Sequence, residues 1–237
     1  MENKFTGIQA VGKIVAEFPQ ASEIFKKYRI DFCCGGDKLL GVATKELNID
    51  EKIVVEELNK RYALMEKQND MSEEVDWRQQ PLSQLVDHII GKHHHYLQQE
   101  MPIISEFVTS ILRVHGAHHG ELGNVFKLFH ALKKELDQHL MTEEETLFPL
   151  IKEYEQNPSS QLLVTIKNKI NIIEHEHEQA GDIIKELRQI TNQYTLPADA
   201  CTSYRLAYLK LEEMESDLFQ HIHLENNILH PRIQSKI

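Results

Sequence analysis

Cysteine is scarce in this chain. Three of its 237 residues are cysteines, and two of them, Cys33 and Cys34, are adjacent. That excludes a framework of disulfides and suits a reducing compartment. Long apolar runs are missing as well: none approaches the ~20 residues that a bilayer span requires. The opening MENKFTGIQA has no apolar segment of the kind a secretory signal carries. These absences predict a cytoplasmic protein with no membrane partner. Positive charge is in deficit, with 26 Lys and Arg against 37 Asp and Glu and a net charge of −11. Phosphate recognition needs a basic footprint, so nucleic acid is not an expected partner. Histidine is absent from the first third: none of the 14 precedes His88. The chain therefore divides into two parts with different work to do. Hydrophobic residues make up 41%, enough for a core in each.

Helical periodicity runs through the whole chain and strand alternation is absent, which predicts an all-α fold. Residues 1–66 read as a small N-terminal helical domain. Ile8, Val11, Ile14, Val15 and Phe18 have helical spacing, and Pro19 can open a second helix with Ala21, Ile24, Phe25 and Tyr28. Asp31-Phe32-Cys33-Cys34-Gly35-Gly36 breaks the pattern. A short helix around Leu39–Ala43 and another through Ile53, Val54, Leu58, Tyr62 and Met65 follow. Residues 67–80, polar apart from Val75 and Trp77, read as a linker. Residues 81–237 read as an up-down-up-down four-helix bundle. Its first helix starts at Pro81 and can kink at Pro102. Loops fall at HGAHHGELG (115–123), at 156–160 and at 192–199.

Two stretches of the bundle share one template. HLMTEEETLFP (139–149) and HIHLENNILHP (221–231) both read His-x-x-x-Glu-x-x-x-Leu-x-Pro. A His and a Glu four residues apart lie on one helix face. A single pair of this kind reads as a solvated face. The doubled template reads as a metal site between two helices. The repeat extends backwards: Ile89-Ile90 and Ile172-Ile173 each precede a histidine cluster, and a shift of 83 residues places His94 on His177. Each half is then a helical hairpin giving one His from its first helix and a His-x-x-x-Glu from its second. The candidate ligands are His94, His139, Glu143, His177, His221 and Glu225. On the first helix periodicity favours His93 and the repeat favours His94; the repeat decides for His94. Four imidazoles and two carboxylates exceed one tetrahedral site. They suit two ions bridged by the glutamates, and ligation by N and O without thiolate suits iron or manganese, with zinc as a further option. Glu144 and Glu145 are expected to face water, the remaining histidines to be solvated or to support the ligands, and Cys201 to pack.

These residues resemble a known family. DFCCGG (31–36), DHII followed by His94, HLMTEEETLFP, EHEQAG (176–181), PADACT (197–202) and HIHLENNILHPR (221–232) are similar to the iron–sulfur cluster repair di-iron proteins of the RIC, or ScdA/YtfE, type. In that family a short N-terminal domain precedes a hemerythrin-like bundle. The resemblance covers nearly the whole chain. It implies iron ligands at the same six positions and two Fe ions per chain in an oxo- or hydroxo-bridged di-iron centre. It implies a cytoplasmic bacterial protein, often a homodimer. Its expected partners are iron–sulfur proteins whose clusters nitric oxide or hydrogen peroxide has damaged, repaired by donation of iron. Cys33 and Cys34 are candidate redox or client-contact thiols; the alternative is a buried thiol at a helix end. No catalytic residue is assigned, and the reading leans away from an enzyme. Alternatives are a di-iron enzyme reacting with nitric oxide or oxygen, and a hemerythrin-like gas binder or sensor. The gas carrier usually has a fifth histidine four residues from the third-helix ligand, where this chain has Ile173 and Gly181.

Overall fold

The computed structural model describes residues 3–68 and 75–236. Part of the expected linker, residues 69–74, lies outside the described residues. The described residues are helical with no strand; Ala10 and Leu39 form one isolated antiparallel bridge. Eight helical runs follow one another: α1 (Val11–Glu17), α2 (Ala21–Tyr28), α3 (Leu40–Glu46), α4 (Glu51–Gln68), α5 (82–115), α6 (122–156), α7 (Ser160–Ile190) and α8 (202–234). None among the described residues is long and apolar enough to cross a membrane. The chain forms two compact units, Met1–Leu85 with Ile222–Ile237, and Val86–His221.

In the first unit α1 to α4 close around Phe5, Ile14, Phe18, Phe25, Phe32, Leu40 and Leu58, all buried. Phe5 stacks on Phe18 at 5.8 Å, and Tyr62 meets both rings edge-on at 5.4 Å. Ile8 precedes α1 and is exposed, as are Leu39, Val42 and Ile53, so apolar periodicity overstated the core at these four positions. Arg29 ends α2 in the left-handed region (φ 58°), and the amide of Ile30 donates to the carbonyl of Phe25 at 2.8 Å, a common helix stop. The DFCCGG turn follows. Asp31 Oδ1 accepts from the amides of Cys33 (3.2 Å) and Gly35 (3.1 Å), the local bonding that favours Asp in turns. Gly12 donates its amide to the carbonyl of Gly36 at 2.8 Å. Asn227, from the end of α8, lies against both glycines: a Cβ would stand 2.1 Å from its Oδ1 at Gly12 and 2.0 Å at Gly36. Its amide donates to the carbonyls of Phe32 (3.2 Å) and Cys33 (3.0 Å). At Gly12 the Cβ would also stand 2.9 Å from the carbonyl oxygen of Gly36, so glycine is required there; at Gly36 it would displace the Asn227 side chain.

The second unit is the four-helix part. α5 packs on α6 and α6 on α7. α8 meets α5 through Lys210 and Glu100, and α7 through Arg188 and Glu215. Buried Leu97, Met101, Ile104, Val108 and Ile111 form the stripe of α5, and Ile166, Ile170, Ile173, Ile184 and Leu187 that of α7. α5 continues through Pro102. α7 begins where the sequence breaks at Asn157-Pro158: Ser159 caps it by accepting from the amide of Leu162 at 3.1 Å.

Three of these four helices contain a π-helical stretch: Ile89–His94 in α5, Glu143–Leu147 in α6 and Glu225–Leu229 in α8. The amide after each stretch bonds the carbonyl five residues back: His95 to Ile90, Phe148 to Glu143, His230 to Glu225. Such bulges inside α-helices concentrate at functional sites. In α6 and α8 a proline, Pro149 or Pro231, follows one residue later. Proline has no N–H and crowds the carbonyl four residues back. The widened turn gives that ring room, which explains the Leu-x-Pro ending of the doubled template.

Candidate metal centre

The second unit brings five of the six expected ligands together. His94 ends the π stretch of α5, His139 and Glu143 stand one turn apart on α6, His177 is in the middle of α7, and His221 is on α8. All five are buried. The ligand atoms of His94, Glu143 and His221 lie within 4.8 Å of one another, and so do those of His139, Glu143 and His177. Glu143 therefore belongs to two groups at once. Glu225, fully buried, stands four residues beyond His221 on the same continuous helix and belongs to the other unit.

The polar atoms of this interior are arranged for a cation. Glu143 Oε2 is 3.3 Å from His94 Nε2, 3.4 Å from His139 Nε2 and 3.9 Å from His221 Nε2. Yet neither oxygen of Glu143 accepts a hydrogen bond. Burying a carboxylate in that condition costs several kcal/mol. The imidazole pairs point the same way: His94 Nε2 and His221 Nε2 are 3.2 Å apart, and His139 Nε2 and His177 Nε2 are 3.1 Å apart. Two ligands at right angles with bonds of about 2.1 Å would be separated by about 3 Å. The donor set fits a metal, with imidazole and carboxylate and no thiolate.

Two acidic residues set the orientation of the rings. His94 donates from Nδ1 to Glu144 Oε1 at 2.8 Å, and His139 donates from Nδ1 to Glu176 Oε2 at 2.8 Å. Each bond commits Nδ1 outward and leaves Nε2 facing the interior, the arrangement by which carboxylates orient metal-binding histidines. The His139 ring holds the Glu176 carboxyl below its usual range. Glu144 is thus not a water-facing neighbour as its sequence position suggested: the π turn after Glu143 carries it toward α5, where its side chain is one-third exposed. Phe148 stacks on His94 at 5.5 Å.

The π stretch also resolves the competition on α5. A regular helix would carry the stripe from Ile89 to His93; the five-residue turn carries it to His94 as well, and both are buried. His93 turns away from the ligand atoms, with its Nδ1 2.9 Å from Asp217 Oδ1 and its ring parallel to His221 at 5.9 Å. His223 and His230 are buried too. Desolvation pushes His223 down to about 4, so it is neutral near pH 7.

In the first unit Cys33 is buried and Cys34 half-buried, with their sulfurs 3.8 Å apart and Cys33 Sγ 3.3 Å from Asp31 Oδ1. Burial pushes the Cys33 thiol well up, away from the thiolate form that reactive cysteines need. Cys201 does not pack: it is exposed.

Comparison with known proteins agrees with this geometry. Residues 85–233 match the hemerythrin HHE cation binding domain, and residues 7–62 match the ScdA_N domain of unknown function (DUF542). The chain is 36% identical over 226 residues to the iron–sulfur cluster repair protein YtfE of Escherichia coli O81 (strain ED1a), covering 94% of this chain and 96% of that one. It has the same identity and coverage to the protein of that name from Escherichia fergusonii. The chain therefore belongs to the RIC family of iron–sulfur cluster repair proteins, with an ScdA_N domain followed by a hemerythrin HHE cation-binding domain.

Proposed function

We propose that the chain repairs iron–sulfur clusters damaged by nitrosative or oxidative stress, and that it does so by donating iron. His94, His139, His177 and His221 would hold two iron ions, with Glu143 and Glu225 bridging them. Glu225 enters this set through the internal repeat, as the counterpart of Glu143. The observation that carries the reading is the Glu143 carboxylate, buried beside three imidazole Nε2 atoms with no hydrogen bond to either oxygen. Iron at this centre is cargo, released to a client cluster. The chain's own part is to hold the ring nitrogens inward through Glu144 and Glu176, and to exclude bulk water with Phe148 and the surrounding aliphatic side chains.

Lability has a structural counterpart. Ile173 and Gly181, one turn either side of His177 on α7, are both buried and neither can ligate. Four imidazoles and two carboxylates then serve two ions, and fewer fixed protein ligands favour exchange. That disfavours the gas-carrier reading. The partners in this proposal are iron–sulfur proteins of the cytoplasm, and the working form is a homodimer.

The test is transfer. Full-length protein loaded with ferrous iron is mixed with an apo-cluster client or a ferrous chelator, with and without nitric oxide. Donation predicts that iron leaves the protein and the client cluster reforms. Iron that stays bound while nitric oxide is consumed over many turnovers would replace donation with the enzymatic reading.

A further inference from the structure

A second group of metal-ligand side chains meets at the loops of the second unit. His115 closes α5, 21 residues beyond His94 and so about 30 Å along the helix from it. Its Nε2 lies 3.2 Å from Cys201 Sγ. His119 Nε2 lies 3.2 and 3.1 Å from the two carboxylate oxygens of Asp199. Ligand atoms of His115, His119 and Asp199 all fall within 4.8 Å of one another.

The local fold explains the convergence. The turn after α5 keeps helical bonding, with the amide of His119 donating to the carbonyl of His115 at 2.9 Å, so residues four apart share a face. Both rings stand edge-on to Tyr204, at 5.4 and 5.7 Å. Tyr204 is fully buried, which fixes the wall behind them. Asp199 and Cys201 come from the loop that leads into α8, two residues apart and on one side of the turn. A surface ion pair accounts for His119 with Asp199. It leaves the exposed thiol against His115 without a reason.

We propose that His115, His119, Asp199 and Cys201 form a second, surface cation site that binds one zinc-like divalent ion. One sulfur, two imidazoles and one carboxylate make a four-coordinate set of the kind zinc takes. Bonds of about 2.0–2.3 Å at tetrahedral angles place ligand atoms about 3.3–3.8 Å apart. The His115–Cys201 and His119–Asp199 pairs are within a few tenths of an ångström of that range. Three of the four, His115, His119 and Asp199, already have ligand atoms mutually within 4.8 Å, and Cys201 joins them through its contact with His115. Binding exchanges the Cys201 thiol proton, and the proton between His119 and Asp199, for the ion; both protons pass to solvent. A thiolate and a carboxylate then neutralise a divalent charge. The site is independent of the iron-donation reading, since none of its residues serves the interior centre.

Cobalt(II) titration of the full-length protein tests it, because thiolate ligation to cobalt gives a charge-transfer band in the near ultraviolet and tetrahedral geometry gives intense visible bands. Wild type and the C33S/C34S variant are expected to show both. C201S is expected to lose the ultraviolet band, and H119Q to bind cobalt at this site at least ~10-fold more weakly. After dialysis against zinc, C201S and H119Q should each hold one ion per chain fewer than wild type, with unchanged far-ultraviolet circular dichroism. A spectrum indifferent to C201S, or a thiolate band lost in C33S/C34S instead, overturns the proposal, and so does equal zinc content in wild type, C201S and H119Q.

Discussion

The Nδ1 of His94 lies 2.8 Å from Oε1 of Glu144, the residue that follows the buried carboxylate Glu143. In the proposed centre one segment of α6 would therefore supply both a ligand and the group that aims a ligand on α5. Glu176 on α7 does the same for His139. If these contacts fix the rings, E144Q and E176Q should each weaken iron binding about 10-fold, since partners of this kind are worth 10–100-fold in metal affinity. Competition against a ferrous chelator measures it. Unchanged affinity in both variants would show that packing alone orients the imidazoles.

Glu143 offers a sharper separation of stability from function. Its two buried oxygens accept no hydrogen bond from the surrounding side chains or backbone, so with metal removed E143L should be more stable than wild type, by about 1–3 kcal/mol. The same substitution should lower bound iron well below two ions per chain while helical content persists. Urea titration of the metal-free proteins and metal analysis of the loaded ones give the two readouts. A variant that is less stable when metal-free and still fully loaded with iron would count against the bridging role.

The sequence carried the helices and the repeat because both depend on residue spacing, which survives without coordinates. His139, Glu143, His177 and His221 were legible for that reason. Helix bounds agree closely: the loop expected at 115–123 stops the first bundle helix one residue short of His115, where it ends. The π stretches were not legible. A regular period of 3.6 residues cannot anticipate a five-residue turn, which is why His93 competed with His94 and why Glu144 looked solvent-facing. The proline after the template was the available signal, since a proline inside a helix demands a local change of bonding. Cys201 and Asn227 were missed for a different reason. Their partners, His115 in one case and Gly12, Gly36, Phe32 and Cys33 in the other, lie 86 to 215 residues away in sequence, and no local pattern encodes such a pairing.

Asn227 is the tie that holds the DFCCGG turn within the first unit. N227A removes two hydrogen bonds to the carbonyls of Phe32 and Cys33 and leaves those acceptors facing a small void. A cost of about 2 kcal/mol follows for the first unit. The buried Cys33 thiol should then react faster with an aromatic disulfide reagent, by about 10-fold or more if opening of the turn limits the reaction. G12A should act in the same direction, because its new methyl would press on Asn227 and on the carbonyl of Gly36. Thiol kinetics that match wild type in both variants would mean that Cys33 is shielded by other contacts.

Glu57 gives the first unit a pH dependence of known sign. Lys27 Nζ donates to its two carboxylate oxygens at 2.8 and 2.7 Å, and Tyr28 donates its hydroxyl at 2.7 Å, joining α2 to α4. Lys27 first, then Tyr28, holds the Glu57 carboxyl below its ordinary value of 4.5. A carboxyl whose folded pKa is depressed stabilises the fold at pH values above the unfolded pKa, and that stability disappears as pH falls through the folded pKa. The difference in melting temperature between wild type and E57Q should therefore be full at pH 7, begin to shrink near pH 5, and vanish below the depressed value. The exposed position of Lys27 means that salt should reduce the effect as well. Melting curves of both proteins from pH 7 to pH 3, at low and high ionic strength, are the measurement. A difference that stays constant down to pH 3 would assign the stabilisation to packing of the Glu57 side chain and not to its charge.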